Sequence, residues 1–87
     1  MYGTRRTATF DGHIDALRTD FSRIDVAVQF AEKILERHAD VFPSVIGMDF
    51  RYLRTRPFPG VPALAIIYRI DEAEHLVHLM RAESCEE

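Results

Sequence analysis

The stretch 62–80, PALAIIYRIDEAEHLVHLM, decides how the chain is read. From Pro62 to Tyr68 every residue is apolar or aromatic, and Arg69-Ile70 closes the run. The acidic knot Asp71-Glu72-Ala73-Glu74 interrupts it, and a second apolar run follows in which His75 and His78 are the breaks. We read a hairpin: one strand over Ala63–Ile70, a turn at 71–73 and a partner strand over Glu74–Ala82. Period-2 alternation puts Leu64, Ile66, Tyr68 and Ile70 on one face of the first of these strands, with Ala63, Ala65, Ile67 and Arg69 on the other. Apolar residues on both faces mark a central strand covered on both sides.

Moving back along the chain, Met48, Phe50, Tyr52 and Arg54 alternate with Asp49, Arg51, Leu53 and Thr55, which predicts a strand over 48–55. Pro57, Pro59, Gly60 and Pro62 make the connection rigid, because proline has no N–H for a ladder. Before residue 43 the period is 3.6. Asp11 is positioned to cap a short helix with Ile14, Leu17 and Phe21 on one side. Ser22 with Asp25 reads as a capping box for a second helix. There Ala27, Phe30, Ala31, Ile34, Leu35 and His38 form the core stripe, opposite Glu32, Lys33, Glu36 and Arg37. Pro43 stops this helix. Thr4–Phe10 is β-branched and roughly alternating, and predicts the first strand. The order is β-α-α-β-β-β: an α+β domain over residues 1–87, its antiparallel sheet packed on a helical hairpin, with 83–87 as a polar tail.

The composition is that of an ordinary globular chain, 47% apolar and 29% charged, which excludes disorder. No apolar run approaches the ~20 residues that span a bilayer, and Met1–Arg6 has no apolar region behind its arginines. Cys85 is the single cysteine, so there is no intrachain disulfide, and a cytoplasmic setting is expected. The net charge of −3 divides unevenly. Residues 1–70 hold ten basic and eight acidic side chains, whereas 71–87 hold Arg81 against six acids. A balance this acidic argues against nucleic-acid binding by bulk charge.

Few side chains are spaced for chemistry. His75 and His78 would point to opposite faces of a strand, and His38 and Cys85 belong to different elements, so neither a metal nor a cofactor is expected. Cys85 among Glu83, Glu86 and Glu87 is disfavoured as a thiolate nucleophile. His13, His78, Asp49 and Glu83, with Tyr52 or Tyr68 as phenol donors, are acid–base candidates that sequence alone does not bring together. Arg51, Arg54, Arg56 and Arg69 interleave with Phe50, Tyr52, Phe58 and Tyr68, a pattern that suits phosphate contact and base stacking by RNA. The same pattern also fits edge-strand gatekeepers at Arg54 and Arg56, with Arg69 paired to the acidic turn.

Taken together, TATFDGHIDALRTDF, the helix ending at Pro43 and YLRTRPFPGVPALAIIYRIDEAEHLVHLM resemble the RelE/ParE superfamily of type II toxin–antitoxin toxins, also known as plasmid stabilisation proteins. Leu53-Arg54 matches the family's Leu-Arg step, Tyr68 the tyrosine of its penultimate strand, and Ile70-Asp71 its closing Ile/Val-Asp. The resemblance implies a protein that either cleaves mRNA on the ribosome as an endoribonuclease or inhibits DNA gyrase, and that a cognate antitoxin silences. On it, Arg54, Tyr68 and Arg81 are the candidate catalytic residues. The chain departs from RNA-cleaving members by Phe50 and Tyr52 in place of basic residues, by Ala65 in place of an arginine, and by Arg81-Ala82-Glu83-Ser84 at the end of the last strand. A catalytically inactive binding module and an unrelated small ligand-binding α+β protein are the alternatives. If helical stripe and sheet bury each other, the exposed remainder is the outer face at Ala65, Ile67 and Arg69, expected to meet the antitoxin or a second copy of the chain.

Overall fold

The computed structural model describes residues 1–45 and 47–85. Its elements are β1 (Gly3–Arg6), α1 (Ala8–Asp20), α2 (Ile24–His38), a 3₁₀ turn at Ala39–Val41, β2 (Arg51–Arg54), β3 (Ala63–Asp71) and β4 (Leu76–Cys85). The sheet runs in the order β1-β4-β3-β2, so the hairpin read from the sequence occupies its two central positions. β2, β3 and β4 pair antiparallel as expected. β1 adds to them in parallel, Gly3 opposite Leu76 through Arg6 opposite Leu79, which makes the sheet mixed.

The acidic knot is the turn itself. Asp71 Oδ1 accepts the N–H of Glu74, three residues on, at 3.1 Å, and His75 takes a left-handed φ of 51°. β4 therefore starts at Leu76 rather than at Glu74. It runs on to Cys85, so residues 83–85, expected in the polar tail, pair instead with Ala65, Leu64 and Ala63. Backbone groups at the start of β3 need partners, and the chain here supplies them whatever its side chains. Glu86 and Glu87 lie outside the described residues.

The core face of β3 is the one the alternation predicts: Leu64, Ile66 and Tyr68 are buried, and Ile70 packs against the same cluster. In β4, Val77 and Leu79 join them, and then the register slips. Ile67 pairs with Arg81 and Tyr68 with Leu79, leaving Met80 as an extra residue. This β-bulge turns Met80 and Arg81 together to the outer face, and Ala82 returns to the core.

Two helix starts differ from expectation. Thr7, not Asp11, caps α1: its hydroxyl accepts the N–H of Phe10 at 3.2 Å and donates to the carbonyl of Leu79 at 2.8 Å. The predicted first strand is cut at Arg6, because a helix from Ala8 buries both Phe10 and Ile14 on one side. The Ser22–Asp25 capping box does not form. Arg23 stands at the N-cap of α2 with no side-chain bond, and Asp25 instead receives two bonds from Arg18 of α1, at 2.8 and 3.0 Å.

The core stripe of α2 is also rotated. Ile24, Ala27, Val28, Ala31 and Leu35 are buried, whereas Phe30 is 63% and Ile34 39% exposed and His38 faces solvent. Apolar residues cover so wide an arc of this helix that one sheet cannot hide them all. The helix is pinned from the sheet side by Arg6, which forks onto Glu32 at 2.8 and 3.2 Å.

Candidate functional site

Among the described residues, two apolar hollows stand out where the layers do not close. The first lies between α2 and β2. Ala27 and Ala31 are too short to fill the space above Leu53, and Phe30, Ile34, Phe42 and Phe58 wall it in. Arg54 and Arg56, both exposed, stand on its rim. The hollow holds about 370 Å³.

A second hollow lies across the sheet. On the outer face Ile67 and Met80 form the base of a cavity of about 360 Å³, which Val45, Met48 and Phe50 close from the side. Arg81 contributes the charge, and Thr7 and Thr9 reach it from the start of α1. The bulge in β4 brings Met80 and Arg81 into the same cavity.

The candidate catalytic residues fall in three different places. Tyr68 is in the core, fully buried, and its hydroxyl donates to the carbonyl of Ala39 at 2.5 Å. Burial pushes its pKa up to about 12, so the phenol is held as a structural donor and no substrate reaches it. Arg81 lines the outer cavity and pairs with Glu83 at 3.3 Å, both side chains more than half exposed. Arg54 sits on the α2–β2 rim.

The four arginines proposed for RNA are likewise dispersed. Arg51 donates to the carbonyls of Phe42, at 2.6 Å, and Asp40, at 3.2 Å, and so fastens the segment after α2 to β2. Arg54 and Arg56 line the α2–β2 hollow together. Arg69 lies on the outer face opposite His78, whose Nε2 is 3.9 Å from Asp71 Oδ2. Ala65, Ile67 and Arg69, the expected partner face, are all half-buried, and of the three Ile67 lines the outer cavity.

The remaining acid–base candidates also serve the scaffold or the surface. His13 Nδ1 accepts the N–H of Ala82 at 3.2 Å, tying α1 to β4. Asp49 lies in a small polar hollow with Ser44, Arg51 and Glu72. Further shifts in titration belong to scaffold contacts as well: two hydrogen bonds from Arg18 hold the Asp25 carboxyl below the usual range, and the bond to Glu72 raises the Tyr2 phenol. No group of three or more His, Cys, Asp or Glu among the described residues is arranged to hold a metal ion. Among the same residues, no helix is long and apolar enough to cross a membrane.

Periodicity missed the α2–β2 hollow because it assigned Phe30 and Ile34 to the core. The signal was the width of the apolar arc on the second helix, which exceeds what one packed face needs.

The sequence matches no family model and no curated protein. Among solved structures, a chain of the toxin–antitoxin complex RelBE2 from Mycobacterium tuberculosis superposes with a TM-score of 0.73. The match covers 99% of this chain and 93% of that one, at 20% sequence identity. The two share a fold, and the expected resemblance to the RelE/ParE superfamily holds at that level.

Proposed function

Taking that shared fold as the premise, we propose that the chain is the toxin-like member of a toxin–antitoxin pair, that an antitoxin segment occupies the α2–β2 hollow, and that the protein acts by docking rather than by cleaving RNA. The exposure of Phe30 and Ile34 beside an arginine rim carries the reading. Covering a large apolar side chain contributes roughly 1.5–3 kcal/mol, so the hollow favours an apolar, helix-like segment. Arg54 and Arg56 favour acidic residues at the edge of that segment and speed its encounter. This hollow is a stronger candidate for the antitoxin than the outer face at Ala65, Ile67 and Arg69, which is only half-exposed.

Of the two activities attached to the resemblance, cleavage of mRNA needs an acid or base and phosphate donors that converge on one reacting bond. Arg54, Tyr68 and Arg81 stand apart, with Tyr68 sealed in the core. Inhibition of gyrase needs only a docked surface, and this arrangement favours it. A silent binding module is the second reading, favoured by the same dispersal.

Growth after expression in a bacterial host separates the two. The first reading expects arrest, relieved by co-expression of the product of the adjacent gene. Phe30→Asp, at an exposed position, should leave arrest intact and abolish relief, with affinity for that product falling by about 30-fold or more. Undiminished co-purification with Phe30→Asp would remove the α2–β2 hollow from the reading. RNA cleavage by the purified chain on ribosomes would overturn the docking mechanism.

A further inference from the structure

We infer that the outer-face cavity is a binding site for a small amphipathic monoanion: an aromatic or short aliphatic carboxylic acid whose apolar body lies on Ile67 and Met80 and whose carboxylate meets Arg81. Three features carry the inference. The cavity of about 360 Å³ falls at the small end of the range that ligand pockets occupy, and its lining is mostly apolar with few polar groups, as such pockets are. The lining is assembled by a device. Without the bulge, Met80 and Arg81 would point to opposite faces of β4; with it, Arg81 pairs with Ile67, Met80 is the extra residue beside it, and both line the cavity. Finally, the one charged residue among the described residues of the lining is within reach of a ligand. Arg81 is 57% exposed, and its pair with Glu83 at 3.3 Å is a surface ion pair of the kind that holds its partners weakly. A carboxylate arriving from the cavity can take the guanidinium's forked donors with part of its own charge desolvated against Met80.

The charge of the lining sets the ligand's charge. Arg81 is the one charged residue among the described residues that line the cavity, so a single carboxylate matches it. Thr7 is not the recognition group, because its hydroxyl is committed to Phe10 and Leu79. This site is independent of the antitoxin reading, which concerns the other side of the sheet.

Titration with 4-phenylbutyrate and its neutral counterpart 4-phenyl-1-butanol, followed by methyl NMR, tests the inference. At millimolar acid the Met80 and Ile67 methyls should shift while that of Ile34, in the α2–β2 hollow, stays still. Arg81→Gln, at an exposed position, should weaken the acid about tenfold and leave the alcohol unchanged. Met80→Trp should fill the cavity and abolish both, with the thermal midpoint recording whether it folds. Absence of Met80 and Ile67 shifts in the parent protein, shifts centred on Ile34, or equal affinity of the acid for parent and Arg81→Gln would each overturn the assignment.

Discussion

Tyr68 carries its hydroxyl through the core to the carbonyl of Ala39, 2.5 Å away, and so joins the middle of the sheet to the turn that ends the helical layer. Tyr68→Phe keeps the ring and strands that carbonyl, which should cost about 1–3 kcal/mol by chemical denaturation. The shifted titration adds a pH signature. An unfolded tyrosine ionises near 10, the folded one only at about 12. Between these values the unfolded chain has released the proton and the folded chain retains it. The contribution is complete below pH 10 and falls as pH rises towards 12, at about 1.4 kcal/mol per unit. Subtracting the stability curve of Tyr68→Phe from that of the parent should isolate this limb; parallel curves across that range would show that the phenol titrates freely.

At the level of elements, Thr7 does two jobs at the corner between β1 and α1, accepting from Phe10 and donating to Leu79 of β4. Thr7→Ala should therefore destabilise by about 1–2 kcal/mol, and Thr7→Ser should recover most of it, since only the hydroxyl is needed. A serine variant as weak as alanine would put the effect in the methyl group. This corner also marks where sequence reading stopped. The near-continuous apolar run from Ala63 to Ile70 made the central strand legible and period-2 placement its core face, and the helical period did the same for the existence of α1 and α2. Thr7, Thr9 and Phe10 satisfied both a strand pattern and a capped helix start, and only the burial of Phe10 with Ile14 decides between them. The rotation of α2 was hidden for a related reason: a period specifies a face only when the apolar arc is narrow. The bulge at Met80, which assembles the outer cavity, leaves no mark in hydropathy at all, because it is a matter of register between two strands. The fold was thus more legible than the sites.

For the molecule as a whole, the layered core sets the response to damage. Ile66 is 1% exposed at the centre of the sheet, and Ile66→Asp buries an unpaired carboxylate, so cooperative thermal unfolding should be lost. A midpoint within a few degrees of the parent would contradict the layer order. The arginine rim makes a different prediction, about association. Salt should weaken binding of the adjacent-gene product, and Arg54→Ala with Arg56→Ala should flatten that dependence. An unchanged slope would leave apolar contact as the whole of the attraction.

The parallel pairing of β1 with β4 has a kinetic consequence. Gly3 lies opposite Leu76, so the strand nearest the start of the chain waits for one formed 73 residues later (76 − 3), while the β3–β4 turn closes over a few residues. Closing the longer loop carries the larger entropy cost, and folding should proceed outward from the hairpin, with β1 captured last. In pulse-labelled hydrogen exchange the amide of Gly3, which donates to the carbonyl of His75 at 2.8 Å, should gain protection after the amides of β3. Until then the β1-facing edge of β4 stays open, and the refolding chain is most prone to self-association in that interval.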